Sequence, residues 1–283
     1  MNLSKDLLLK SHRAVLFGEK LYASDFAEAD WKSIFQLADE QTVSALLLEG
    51  MSLLPSECIT IPLGDKLKRI ATMQRIEQIN RLHRKVIVKI DQALKSEGIP
   101  AVFMKGQTTA LRYPNPLHRT PGDIDFVVNP KDFKKTMEVL EKIGKVDHDL
   151  VHEHHGMAWV DGVTVEPHYK VHNYQSPPTD HAMQEMFASV FPSELSSADM
   201  DGYAVPVFPP TFESVFLISH MVNHVYEEGL GLRQVIDYAM FLSSCADKID
   251  WLQHHEYLHQ MRMERAWRIF TCICVDYLGM SLP

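Results

Sequence analysis

Asp161-Gly162 lies between Met157-Ala158-Trp159-Val160 and Val163-Thr164-Val165-Glu166. No other stretch of the chain constrains its folding as tightly. An Asp-Gly pair suits the positive-φ positions of a two-residue hairpin turn, and the flanks are apolar and β-branched. The turn predicts two paired strands. Side chains alternate along a strand, so Thr164, Glu166 and His168 fall on one face.

The surrounding sequence supplies partners for that hairpin. Residues 99–104 form a short apolar run that ends in Lys105-Gly106, as a buried strand does. Residues 107–113 suit a short helix, and Pro114, Pro116 and Pro121 mark a loop. Residues 123–128 predict another strand, with Asp123 and Asp125 on one face and Ile124 and Phe126 on the other. Asn129-Pro130 opens a helix that runs to about Ile143.

Both flanks read as helical. Asp30 is a plausible N-cap for a helix carrying Trp31, Ile34, Phe35, Leu37 and Ala38. A long basic helix spans 66–95, with Leu67, Ile70, Ile76, His83, Ile87, Ile90 and Leu94 near one stripe, and Gly98 and Pro100 end it. Helical periodicity returns at Thr211. The expected class is α+β: a helical region over 1–98, an α/β core with a small mixed sheet over 99–210, and a helical region over 211–283.

The net charge of −9 disfavours long nucleic acid as a partner, because such binding rests on Lys and Arg. Cys58, Cys245, Cys272 and Cys274 form no CxxC pair and no disulfide framework, and Cys272 and Cys274 read as core residues. The N-terminus has too short an apolar run for a signal peptide, and no stretch approaches the roughly 20 apolar residues of a membrane span. A cytoplasmic protein is expected.

The chemistry lies in the acids. Neighbouring carboxylates repel, and a cation usually relieves the repulsion. Magnesium is commonly held by one or two carboxylates together with substrate phosphates. Asp123 and Asp125 would supply two ligands from one strand, and Glu166 a third acid from a neighbour. Glu166 could alternatively take a proton from an acceptor hydroxyl. Lys105-Gly106 at a strand end suits phosphate, through backbone N–H groups and a cation, and Arg119 adds charge.

The order of these pieces resembles the nucleotidyltransferase superfamily with the DNA polymerase β-like catalytic fold. More narrowly it resembles the group of uncharacterised bacterial nucleotidyltransferases. The resemblance rests on Met104-Lys105-Gly106, Arg119-Thr120-Pro121-Gly122-Asp123-Ile124-Asp125 and Val165-Glu166-Pro167-His168-Tyr169, with Asp30-Trp31, His220, His224, Arg233 and Asp237 in the flanks. It implies transfer of a nucleoside monophosphate from a nucleoside triphosphate, ATP among them, to an acceptor, with Mg2+ or Mn2+ as cofactor. Asp123, Asp125 and Glu166 then match the catalytic and metal-binding acids. Lys105, Gly106, Gln107, Arg119 and His168 fall at the nucleotide. The acceptor is a small molecule, a sugar or a protein hydroxyl. Two departures stand out: Gln107 follows the glycine where the superfamily has Ser or Gly, and the third acid is Glu where Asp is commoner. They keep open an alternative, a binding or regulatory protein of the same fold, antitoxin-like and without turnover.

His148, His152, His154 and His155 crowd one segment with Asp149 and Glu153. With His168 and His172 further on, a zinc or other transition-metal module is one reading. The spacing fits no standard zinc pattern, and the plain reading is exposed or hydrogen-bonded histidines lining a cleft. His168, on the face of Glu166, is the one expected to touch substrate. His220 and His224, one turn apart, read as helix-packing residues. Arg233 and Asp237, also one turn apart, read as an ion pair.

Overall fold

The computed structural model describes residues 3–147, 154–172, 174, 176–227 and 229–282. Three helices come first: α1 (Leu3–Phe17), α2 (Trp31–Glu40) and α3 (Ser44–Ser52). Asp30 caps α2, accepting from the Ser33 backbone N–H at 3.3 Å and from its hydroxyl at 2.6 Å. The basic segment is a single long helix, α4 (Leu63–Ser96). It ends where Gly98 turns to φ +69 and the Ile99 N–H reaches back to the Leu94 carbonyl.

Next come β1 (Ala101–Met104), the one-turn α5 (Gly106–Ala110), β2 (Ile124–Val128), α6 (Phe133–Ile143) and β3 (Lys145–Asp147). The hairpin follows as β4 (Met157–Val160) and β5 (Val163–His168). Asp161 and Gly162 both have positive φ, and Val160 pairs with Val163 across the turn. Then come α7 (Pro177–Val190), a second hairpin of β6 (Ser196–Met200) and β7 (Tyr203–Val207), and the helices α8 (Pro210–Glu227), α9 (Leu232–Cys245), α10 (Trp251–Gln260) and α11 (Glu264–Asp276).

Among the described residues, seven strands form one mixed sheet in the order β3-β4-β5-β2-β1-β7-β6. β2 lies at its centre, antiparallel to β1 and parallel to β5. The second hairpin, not foreseen from the sequence, turns on Asp201-Gly202, the same signal as Asp161-Gly162, with both residues at positive φ.

Alternation divides the buried residues between the two faces of the sheet. Ala101, Phe103, Ile124, Phe126, Val128 and Val165 join Ile87, Ile90 and Leu94 of α4 and Leu140 of α6 in one core. Val102, Met104 and Val127 face the other way, into a larger core built from α1 to α3 and α7 to α11. Asp125 has the parity of Val127, so the acids open toward the helical side.

The stripe expected along α4 is buried only in part. Ile76, Ile87, Ile90 and Leu94 are buried, but Leu63, Leu67 and Ile70 are exposed. The sheet-face core takes up α4 only from Val86 onward, so its first turns find no apolar surface there. Cys274 is buried, as expected, but Cys272 is exposed.

Gly144 joins α6 to β3 where the backbones nearly touch. A Cβ there would stand 2.2 Å from the Trp159 carbonyl oxygen, and backbone cannot yield as a flexible side chain can. Gly144→Ala is expected to cost about 1–3 kcal/mol, the usual range for overpacking. A fall in the urea midpoint with an unchanged slope would register it.

Candidate active site

Strand register brings the acids together. β1 sets Met104 opposite Asp125, and β5 sets Glu166 beside Asp125 and His168 beside Val127. Asp123 immediately precedes β2. One oxygen from each of Asp123, Asp125 and Glu166 lies within 4.8 Å of the others. Such an all-oxygen set suits a hard divalent cation.

The three carboxyls differ in environment. Asp125 is only 4 % exposed. Its Oδ1 lies 3.1 Å from Lys105 Nζ and 3.1 Å from His168 Nε2. Burial works to raise its pKa, but Lys105 and His168 outweigh burial and hold the carboxyl well below its usual range. Asp123 moves the opposite way. The charge of Asp125, and then burial, push it up to about 6, with Lys105 opposing. Burial also raises Glu166, but His155, with Nδ1 3.2 Å from Oε2, brings it below its ordinary value. Burial works against the Lys105 ammonium, yet Asp125 and Asp123 together raise its pKa, so it stays charged.

The Lys105 backbone is strained, at φ +51 and ψ −158, a region that glycine normally occupies. Such a conformation costs on the order of 1–3 kcal/mol and persists only where its surroundings enforce it. Gly106 follows at φ +53. Two successive positive φ angles turn the chain sharply from β1 into α5 and leave the Lys105 side chain over Asp125.

Arg119 and Gln107 are committed within the protein. Arg119 donates from Nε and Nη2 to the two oxygens of Asp237 on α9, at 2.8 and 2.7 Å, and Tyr113 donates its hydroxyl to the same carboxylate at 2.6 Å. Burial opposes the guanidinium charge, but Asp237 raises the Arg119 pKa further still. The buried Gln107 donates to Asn80 Oδ1 at 2.5 Å, and Asn80 donates to the carbonyls of Leu117 and Arg119 at 2.7 and 2.9 Å. These bonds fasten α5 and the loop before β2 to α4.

A cleft of about 250 Å3 opens over Asp123 and Asp125. Lys105, Gly106, Arg119, Gly122, Asp123 and Asp125 line one side. Leu217, His220, Met221, His224, Arg233, Gln234 and Asp237, from α8 and α9, line the other. His220 and His224, read from the sequence as packing residues, therefore face the cleft, their Nε2 atoms 3.1 Å apart. Burial pushes His220 well below the usual imidazole range, and it stays neutral. Asp237 pairs with Arg119, while Arg233 donates to the Thr120 carbonyl at 3.3 Å. The i, i+4 spacing thus misidentified the partner, which lies 118 residues away.

Among the described histidines, His168 is the one hydrogen-bonded to Asp125. The sequence did not suggest that His155 stands opposite it. Yet the hairpin register, counted outward from Val160 and Val163, reaches His155 opposite His168, and the two form a β-bridge. His148, Asp149, His152 and Glu153 lie outside the described residues.

Residues 27–279 match the family described as uncharacterised nucleotidyltransferase, and the chain belongs to that family. No curated protein matches it. Among solved structures, the solution structure of the antibiotic-resistance factor ANT(2'')-Ia is similar at 13% identity and a TM-score of 0.44, over 66% of this chain and 98% of that one. The crystal structure of ANT(2'')-Ia with adenylyl-2''-tobramycin gives 12%, 0.44, 63% and 98%. An antigenic nucleotidyltransferase-like protein from Paracoccidioides brasiliensis gives 15%, 0.41, 70% and 93%.

Asp123 provides a test of the electrostatics. Its folded pKa of about 6 stands above the ordinary 3.8. Between those values the folded state binds more protons than the unfolded one, so its contribution to stability falls as pH rises through that window. Asp123→Asn should therefore stabilise the chelator-treated protein more at pH 7 than at pH 4.5. Comparing urea midpoints of the two proteins at both pH values isolates Asp123 from the histidines, whose lowered pKa values act in the opposite sense.

Proposed function

We propose that the chain transfers a nucleoside monophosphate from a nucleoside triphosphate to a hydroxyl of a small-molecule, sugar or protein acceptor, with a divalent cation as cofactor. The observation that carries this reading is the approach of three carboxylate oxygens to within 4.8 Å, two of them from Asp123 and Asp125 in the wall of a cleft, in a nucleotidyltransferase-family chain. Asp123, Asp125 and Glu166 are the residues that would hold Mg2+ or Mn2+, whose charge would offset that of the triphosphate.

The chain's own residues account for the remaining roles. Lys105, fixed over Asp125, offers a permanent cation to a phosphate oxygen, and Gly106 lets the backbone approach closely. Arg233, on the opposite wall of the cleft, would add a second cation for the phosphates. Arg119 shapes the cleft through Asp237 and contributes charge at longer range. The acceptor oxygen attacks the α-phosphorus, the bond from that phosphorus to the oxygen bridging to the β-phosphate breaks, and pyrophosphate leaves. Glu166, in the alternative to holding the ion, would receive the hydroxyl proton. His168 keeps Asp125 ionised. The acidic surface, net −9, favours a compact acceptor over a long nucleic acid. Among the described residues no helix is long and apolar enough to cross a membrane.

Calorimetry with Mg2+ and each nucleoside triphosphate, followed by a pyrophosphate-release assay across acceptors, tests the reading. Binding and release are expected, with release reduced at least about 100-fold by Asp125→Asn, since charge stabilisation of several kcal/mol is lost. Binding with no release from any acceptor would favour the regulatory alternative.

A further inference from the structure

Glu166 belongs to a second donor set as well. One ligand atom from each of His155, Glu166 and His168 lies within 4.8 Å of the others. His155 Nδ1 is 3.2 Å from Glu166 Oε2, and His168 Nε2 is 3.9 Å from the same oxygen. The two rings lie nearly parallel, 5.1 Å apart, on backbones tied by the His155–His168 bridge and by the Gly156 N–H to Pro167 carbonyl bond of 2.9 Å. The positions are thus held by the sheet itself.

Two imidazoles and a carboxylate make a donor set unlike that of the aspartate pair. Magnesium prefers oxygen and keeps its waters, whereas zinc, cobalt and other first-row ions take imidazole readily. His168 is 4 % exposed, and the nitrogen nearest Glu166, Nε2, also lies 3.1 Å from Asp125 Oδ1, so an ion at that nitrogen takes the place of the proton it shares with Asp125.

We propose that His155, Glu166 and His168 form a transition-metal site, selective for an ion such as Zn2+ or Co2+ over Mg2+. It shares Glu166 with the oxygen set formed with Asp123 and Asp125. Three protein ligands leave room for a water or a substrate atom, as in metal sites that keep an open position. Asp125, 3.1 Å from His168 Nε2, and Glu166 offset the charge that Lys105 places nearby. The site does not depend on nucleotidyl transfer, and its test reads metal binding rather than turnover.

The full chain, stripped with chelator, is titrated with Co2+ while the visible absorption of the bound ion is followed. One equivalent should produce bands of a nitrogen-ligated ion that survive millimolar Mg2+ and disappear on adding Zn2+. His155→Gln and His168→Ala should each weaken Co2+ binding at least about tenfold, given that even outer-shell changes cost 10–100-fold. Asp123→Asn should retain it. Loss of the bands on adding Mg2+, or equal weakening by Asp123→Asn, would assign the ion to the oxygen set and overturn the site. Proton NMR of the wild-type Co2+ form removes any dependence on the variants' folding: two paramagnetically shifted histidine ring systems support the site, and none overturns it.

Discussion

A carboxylate buried at the centre of a sheet must find positive charge or give up its own, and Asp125 imposes that condition on everything around it. Its charge is held by the Lys105 ammonium and by a hydrogen bond with His168, which arrive from two different strand ends. To reach it, the chain after β1 adopts a backbone that lysine ordinarily avoids. Asp123 then pays for the arrangement, standing beside a charge that does not yield, and its own carboxyl is driven toward neutrality. The site is thus unevenly charged by construction: one acid fixed, one poised, and one tied to histidine.

The sheet explains how such a site persists in a chain that is mostly helix. β2 has neighbours on both sides, so the position of Asp125 is fixed by hydrogen-bonded register rather than by a loop. One face of β2 is sealed by α4 and α6 through Phe126, and the other opens toward α8 and α9. The Arg119–Asp237 pair spans that opening, joining the approach to β2 to the opposite wall. Buried, with Nε and Nη2 both bonded to the carboxylate, it ties the loop before β2 to α9, and a buried pair of this kind is weak evidence of net stability.

Much of this was legible in the sequence, for reasons that can be stated residue by residue. Strand alternation placed Asp123, Asp125, Glu166 and His168, because a side chain's face follows from parity alone. Asp30, Asp161-Gly162 and Asn129-Pro130 marked element ends through local hydrogen bonding and turn geometry. What escaped was contact between distant segments. Arg119 and Asp237 carry no local sign of each other, and the plausible pairing of Asp237 with Arg233 was a product of helical spacing. The exposed start of α4 escaped likewise, since periodicity says which residues share a stripe but not whether anything covers it. Asp201-Gly202 is a different case: its signal was as strong as that of the first hairpin and lacked only flanks of the same apolar character.

The backbone at residue 105 sets folding and charge balance against each other. Glycine would relax the turn there, because it alone adopts such angles without penalty. It would also remove the ammonium that keeps Asp125 ionised. Any sequence drift toward an easier fold at this residue therefore empties the site of its fixed cation, and drift that keeps the cation keeps the strain. Position 105 is where this protein trades stability for electrostatic order, and its margin for further loss must be found in the rest of the sheet.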